Sequence, residues 1–243
     1  MGWGTRRWTS RQSTTETLTS LPDTYSYAAF MQPAEGLTPD EATELALVSG
    51  RDDVVHDGWV YGGGSYAEMG NEVSFVVDLR PGEWQVAASF QVGQDGEEIM
   101  NLYPLAVTES DETSAAPNAS MTIGMNDTEF LLPAGDASTG PQIYQVTNVG
   151  DAPRQLVLMK SPRPLTVEDF EQLFATGDDA PPPEVMTQII WVGYAAIISP
   201  GHSVWLELDL EPGTYTTTSW VVDPETGMPA LLLGMVDNFT VAE

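Results

Sequence analysis

Few residues in this sequence can perform redox, nucleophilic or acid–base chemistry, and cysteine is absent from all 243 positions. Without cysteine there is no thiolate nucleophile, no thiolate metal ligand and no disulfide. The only histidines are His56, which follows Arg-Asp-Asp-Val-Val, and His202, in a Ser-Pro-Gly-His-Ser turn before a strand pattern. Each would need catalytic or ligating partners from elsewhere in the fold. We therefore predict that both are surface loop residues.

Carboxylates are the abundant reactive groups, with 36 Asp and Glu against 8 Lys and Arg and a formal net charge of -28. Paired carboxylates can hydrolyse glycosides or, with carbonyl oxygens, bind calcium. No segment has the EF-hand spacing, so the sequence offers only a weak calcium candidate at Asp178, Asp179 and Asp223 to Glu225. The acidity is spread along the chain, which is typical of a solvated surface. Such a surface repels nucleic acid and anionic lipid, and it favours cations or a basic protein as partners.

A glycine-rich run, GGGSYAEMG (Gly62 to Gly70), invites comparison with phosphate-binding loops. A dinucleotide-binding loop needs a following helix within a βαβ unit, whereas this run precedes a strand pattern. We predict a flexible loop between strands.

The elements that must position these residues are mostly short strands. Apolar and polar residues alternate along Val73 to Leu79 and along Val204 to Leu210, a pattern typical of half-buried strands. A Pro-Gly turn and then an aromatic residue, Trp84 or Tyr215, follow each strand. Capping signals at Thr38, where Glu41 completes a capping box, and at Thr166 predict two short helices. The sequence therefore predicts an all-β protein built of β-sandwiches, and no apolar run is long enough for a transmembrane helix.

An internal repeat divides the chain. Met31 to Glu41 matches Met159 to Asp169, and Val77 to Trp84 matches Leu208 to Tyr215 in the same order. The acidic, polar segment 108–120 reads as a linker between a unit at 18–107 and a unit at 121–243. We expect a flexible tail at 1–17, because it has basic residues without the apolar region of a signal peptide. The first unit lacks a counterpart to the earliest strand of the second, so we expect it to be abbreviated.

Several ordered motifs carry a family resemblance. FLLPAG, TNVGDAPRQLVLMK, LTVEDF, the strand and turn of SVWLELDLEPGTY, and DPETGMPALLLGMVDNF occur in that order. This set is similar to the cupredoxin-like proteins, the plastocyanin and azurin superfamily. The resemblance implies two Greek-key β-sandwich domains, each with one short helix, and an extracytoplasmic location in the secreted, periplasmic or cell-surface sense.

The resemblance also implies where copper ligands would stand. A type 1 copper site uses two imidazoles, a thiolate and a weak axial thioether. The family pattern places the first His at Arg154, the Cys at Ser219, the second His at Ala230 and the axial Met at Met235. Since three of the four ligands are replaced, we predict no bound metal and no copper or other cofactor.

Two functions remain open after this comparison. The first is a non-catalytic extracytoplasmic binding or structural protein that has lost type 1 copper ligation. The alternative is a protein that binds copper or another metal, related to electron transfer, with a different ligand set such as acidic residues and Met235. Two-domain copper oxidases and nitrite reductases need several His and a Cys, so we predict that the chain is not an enzyme.

Overall fold

The computed structural model describes residues 7–9, 13–49, 58–92, 96, 98–108, 115–133, 137–176 and 181–242. These residues form strands joined by short turns, two α-helices and two 3-10 helices. The strands are β1 (Arg7–Thr9), β2 (Ser13–Thr19), β3 (Thr24–Pro33), β4 (Trp59–Ala67), β5 (Glu72–Asp78), β6 (Gly82–Val92), β7 (Glu98–Thr108), β8 (Met121–Met125), β9 (Phe130–Leu131), β10 (Gly140–Asn148), β11 (Arg154–Ser161), β12 (Ile190–Ile198), β13 (Ser203–Leu210), β14 (Gly213–Thr218) and β15 (Val236–Val241). The helices are α1 (Pro39–Ser49) and α2 (Val167–Thr176), with 3-10 turns at Glu184–Gln188 and Ala230–Leu233.

Two sheets pack face to face, and each runs through both halves of the chain. The nine-stranded sheet has the order β1-β7-β6-β3-β4-β12-β11-β14-β15, and the six-stranded sheet has the order β2-β5-β13-β10-β8-β9. The halves meet at β4 with β12 in the large sheet and at β5 with β13 in the small one. The prediction of an all-β sandwich is confirmed.

The strand order reads symmetrically outward from the junction of the halves. From β4 the large sheet continues through β3, β6 and β7, and from β12 it continues through β11, β14 and β15. In the small sheet the first half contributes β2 and β5, and the second half contributes β13, β10, β8 and β9. Among the described residues, the first half thus has two fewer strands than the second in the small sheet but adds β1 at the edge of the large one, and each half carries one α-helix.

Corresponding turns make the same hydrogen bond in both halves. The Trp84 Nε1–H donates to the carbonyl of Arg80 at 2.8 Å, and the Tyr215 O–H donates to the carbonyl of Glu211 at 2.8 Å. Each bond ties the first residues of a strand back across its Pro-Gly turn. The aromatic residue after each turn is thus fixed by its polar end as well as by burial.

The main apolar core fills the space between the sheets and draws on both halves. It includes Phe75 and Trp84 from the first half and Tyr144, Leu158 and Leu206 from the second. Two smaller clusters cover the outer face of the large sheet, one under α1 and one under α2. In α1 the predicted capping box forms, because the Glu41 carboxylate accepts from Thr38 N–H at 2.8 Å. Within the described residues, neither helix is both long and apolar enough to cross a membrane.

Most of the glycine-rich run, residues 62–67, is part of a largely buried strand and not the flexible loop that we predicted, and only residues 68–70 form the turn that follows it. Gly62, Gly63 and Gly64 lie in β4, beside the junction with the second half. A Cβ on Gly63 would stand 2.1 Å from Val204 Cγ2, and one on Gly64 would stand 2.0 Å from the carbonyl oxygen of Ala28. Glycine is required here because neighbouring strands approach too closely for any side chain. Composition alone could not distinguish close packing from flexibility.

Part of the expected flexible tail is also strand. Residues 7–9 pair in parallel with β7, and residues 13–19 pair with the whole length of β5. The prediction for 1–17 is therefore wrong at 7–9 and 13–17. The reason is tertiary: β5 and β7 present edges whose backbone groups need partners, and the N-terminal segment supplies them.

Candidate functional site

The four positions that the resemblance assigns to copper lie together at one end of the second half. The Ser219 hydroxyl accepts from the backbone N–H of Gln155 at 3.4 Å, which places it beside Arg154. Leu231 N–H donates to the carbonyl of Ser219 at 2.8 Å, and Met235 N–H donates to the carbonyl of Ala230 at 3.0 Å. The loop after β14 therefore folds back over the start of β11 and brings these positions into one neighbourhood.

Arg154 is the chemically unusual member of this group, since its side chain is only 4% exposed. Its guanidinium donates to the carbonyl of Pro153 at 2.9 Å and to the carbonyl of Asp127 at 3.0 Å, while Nε has no hydrogen-bond partner among the described residues. Burial lowers the pKa of Arg154, and the nearby charges of Asp127 and Asp223 oppose that shift. A buried cation thus stands where the resemblance expects an imidazole.

The turn before Arg154 is held rigidly by side chains. The Asn148 amide donates to the carbonyls of Ala152 and Ile198 at 2.8 and 2.7 Å and accepts from Gly150 N–H at 3.0 Å. The Asp127 carboxylate accepts from Asp151 N–H and Ala152 N–H, each at 2.9 Å. Asn148 is fully buried, so its hydrogen bonds fix the turn because leaving its amide unpaired would be costly.

The remaining two positions belong to the apolar core. Ala230 and Met235 are fully buried and pack in the cluster between the sheets. Within the described residues, no group of three or more His, Cys, Asp or Glu side chains is arranged so that it could hold a metal ion. The guanidinium, hydroxyl, methyl and thioether at these four positions do not fit a type 1 copper ion, which requires imidazole and thiolate donors.

In the described part of the calcium candidate, the Asp223 side chain closes its own turn. One carboxylate oxygen of Asp223 accepts from the backbone N–H groups of Glu225 and Thr226 at 3.1 and 2.9 Å. These hydrogen bonds lower the pKa of Asp223, and they commit that oxygen to closing its turn. Asp178 and Asp179 lie outside the described residues.

His202 is buried, contrary to the prediction of a surface loop. Its side chain is 4% exposed and its ring contacts Trp84 edge to face, with centroids 6.3 Å apart. Burial lowers the pKa of His202, as does Arg80, while Asp78 acts in the opposite direction. The turn that carries His202 packs against the first half, and no local sequence pattern predicts that contact. His56 lies outside the described residues.

A cleft between the two halves was not anticipated. It has a volume of about 710 Å³ and is lined by parts of β4, β5, β12 and β13. Its wall includes the aromatic residues Tyr66, Trp191 and Tyr194 and the carboxylates of Glu68, Glu207 and Asp209. These residues come from three strands and a turn that are distant in sequence. Only the exposed apolar side chain of Trp191, at the start of a strand pattern, could have pointed to the cleft.

No protein-family profile and no curated protein matches this chain. Solved structures give distant similarities. Reduced auracyanin from Roseiflexus castenholzii is 20% identical over 52% of this chain and 100% of its own, with a TM-score of 0.32. A multi-copper oxidase from Pediococcus acidilactici is 11% identical over 93% of this chain and 48% of its own, with a TM-score of 0.28. The copper nitrite reductase from Nitrosomonas europaea is 10% identical over 99% of this chain and 83% of its own, with a TM-score of 0.28.

Proposed function

We propose that the chain is a non-catalytic binding protein on a duplicated cupredoxin-like scaffold, without type 1 copper. The observation that carries this proposal is the buried guanidinium of Arg154 beside Ser219 and Ala230. Copper(II) would have to approach a fixed positive charge with no thiolate or imidazole to offset the repulsion. The loops of the same neighbourhood are joined by backbone hydrogen bonds, which supports a role in stabilising the sandwich rather than in holding a metal.

Duplication is part of this proposal. The symmetrical strand order and the matched turn bonds at Trp84 and Tyr215 support repeat units at 18–107 and 121–243, joined through 108–120. An extracytoplasmic location follows from the sequence resemblance alone and belongs to the same proposal. The alternative of a metal site built from acidic residues and Met235 gains no support, because the Met235 thioether is enclosed in the apolar core.

Copper titration of the purified chain, followed by absorption and electron paramagnetic resonance spectroscopy, tests the proposal. We expect no stoichiometric type 1 signal. A positive control comes from the chain itself: the triple variant Arg154→His, Ser219→Cys, Ala230→His restores the ligand types beside Met235. We expect this variant to acquire a copper–thiolate absorption band.

The two samples separate the parts of the argument. A type 1 signal from the unmodified chain would refute the loss of copper ligation. A triple variant that folds, as judged by circular dichroism, yet binds copper no better than Ser219→Cys alone would contradict the assignment of these four positions.

A further inference from the structure

Three asparagine side chains carry a possible chemistry that neither the copper positions nor the cleft uses. Asn118-Ala-Ser, Asn126-Asp-Thr and Asn238-Phe-Thr each match the Asn-X-Ser/Thr pattern, or sequon, that N-glycosylating enzymes modify. By sequence the three sequons are equivalent. The fold separates them, because a transferase has to reach both the asparagine amide nitrogen and the hydroxyl two residues later.

The amide of Asn126 is committed to its own turn. Its Oδ1 accepts from the backbone N–H groups of Thr128 and Glu129 at 2.8 and 2.7 Å, and its Nδ2 donates to the Glu129 carboxylate at 3.1 Å. This turn joins β8 to β9, whose residues pair with each other. An enzyme would therefore have to open the turn before it could engage the Asn126 nitrogen.

The amide of Asn238 is committed to a contact between distant elements. Its Oδ1 accepts from Leu165 N–H at 3.0 Å and from the Thr216 hydroxyl at 2.7 Å, while its Nδ2 donates to the carbonyl of Leu165 at 2.9 Å. The backbone of Asn238 is also paired with β14. Although Asn238 is exposed, these bonds hold its amide against the segment that precedes α2.

Asn118 has neither of these constraints. Residues 115–119 form no helix or strand, and both Asn118 and Ser120 are exposed. Ser120 N–H donates to the carbonyl of Ile143 at 2.8 Å, which anchors the backbone immediately before β8. Within the described part of the chain, the side chains of Asn118 and Ser120 make no hydrogen bond. The amide nitrogen and the hydroxyl that a transferase needs are thus both available at the surface.

We propose that Asn118 is an N-glycan acceptor site and that the fold closes Asn126 and Asn238 to the same modification. In the reaction, Asn118 Nδ2 attacks C1 of a sugar that is activated as a lipid-linked diphosphate. The Nδ2–C1 bond forms, the bond from C1 to the phosphate oxygen breaks with its electron pair, and the amide releases one proton. The proposal rests on the extracytoplasmic location within the proposed function, since this modification belongs to exported chains.

Glycan transfer to the purified, folded full chain tests this inference. The reagents are a purified oligosaccharyltransferase and a lipid-linked oligosaccharide, and intact mass with peptide mapping counts and locates the glycans. We expect one glycan per chain, at Asn118. Because the three hydrogen bonds of the Asn126 or Asn238 amide have to break first, transfer at either residue should be slower by at least about tenfold.

Matched variants locate the site without altering any asparagine. Ser120→Ala removes the hydroxyl that completes the Asn118 sequon, and we expect it to abolish the glycan. Thr128→Ala and Thr240→Ala make the corresponding change at the other two sequons and should leave one glycan per chain. Short peptides that span each sequon lack the fold that occupies the amide, so all three peptides should accept a glycan. Circular dichroism checks that each full-length variant is folded.

Any of three results on the full chain would overturn the inference: no transfer, transfer to Asn126 or Asn238 as fast as to Asn118, or a glycan at Asn118 in Ser120→Ala. Peptides around Asn126 and Asn238 that are not accepted would show that the fold is not what protects these residues. Fractionation of the source cells tests the location separately. A chain found only inside the cell would remove the proposed location and leave transfer to the purified chain unchanged.

Discussion

Replacing Gly63 by Ala tests the close contact that joins the two halves. Gly63 has a φ of +88°, and a Cβ there would lie 2.1 Å from Val204 Cγ2. The left-handed backbone costs a non-glycine residue about 1–2 kcal/mol, and overpacking a tight site costs about 1–3 kcal/mol more. We therefore expect Gly63→Ala to lower the free energy of unfolding by about 2–5 kcal/mol. That is a large fraction of the roughly 5–15 kcal/mol typical of folded proteins.

Gly140→Ala is the matched control. Gly140 also has a φ of +88°, but a Cβ there would meet no atom within 4 Å. The Gly140→Ala variant should lose only the stability that the left-handed backbone costs a non-glycine residue, about 1–2 kcal/mol. Urea unfolding followed by circular dichroism gives both values, with an unchanged slope showing that the extent of unfolding is the same. The difference between the two variants measures the steric clash alone.

A double-mutant cycle with Val204→Ala identifies the atom responsible. Removing Cγ2 should relieve the clash, so the double variant should be at least about 1 kcal/mol more stable than the sum of the single effects predicts. The reasoning is refuted if Gly63→Ala and Gly140→Ala lose the same stability, or if the effects of Gly63→Ala and Val204→Ala simply add. Either result would mean that β4 and β13 do not approach closely at Gly63.

Three further measurements address single groups. Burial lowers the pKa of His202, so the unfolded chain takes up this proton at a higher pH than the folded chain does. The free energy of unfolding should therefore fall as the pH drops below about 6.5. In His202→Gln, the urea midpoint should depend less on pH over that range. The Arg163 ion pair and hydrogen bonds hold the pKa of Asp169 at about 2, so Asp169→Asn should cost about 1 kcal/mol at pH 7, a value reduced for the half-exposed Arg163. That difference should shrink as the pH falls below about 4 and be lost as it falls through about 2, and an unchanged difference at pH 2 would contradict this assignment. Tyr215→Phe should cost about 1 kcal/mol by removing the hydrogen bond to Glu211, and a loss below about 0.3 kcal/mol would count against that bond.

Local patterns predicted local structure well. The alternation along Val204 to Leu210 gave β13, and the signals at Thr38 and Glu41 gave a helix with the predicted cap. The Pro-Gly turns led to strands that begin with a fixed aromatic residue, as at Trp84. Each of these predictions succeeds because strand faces, caps and turns depend on residues within a few positions of one another.

Predictions that depended on distant neighbours failed or were not made. Gly62 to Gly64 read as a flexible loop, yet strand β4 crosses the junction there with no room for side chains. His202 read as exposed, yet its turn packs against Trp84 from the other half. The cleft lined in part by Tyr66, Trp191 and Glu207 has no sequence motif, since it forms only where the pairing between the strands of the two halves ends.

By itself, therefore, the sequence determined the class of the fold, the order of its elements and the absence of thiolate chemistry, because these follow from composition and short-range periodicity. Only the tertiary structure decided which glycines are compressed, which histidine is buried and where a cleft opens between the two halves. Those properties depend on how closely β4 approaches β3 and β13, and on where the pairing of β4 with β12 and of β5 with β13 ends. Such distances are set by the packing of two complete sheets around one core, and no segment of the chain contains them alone.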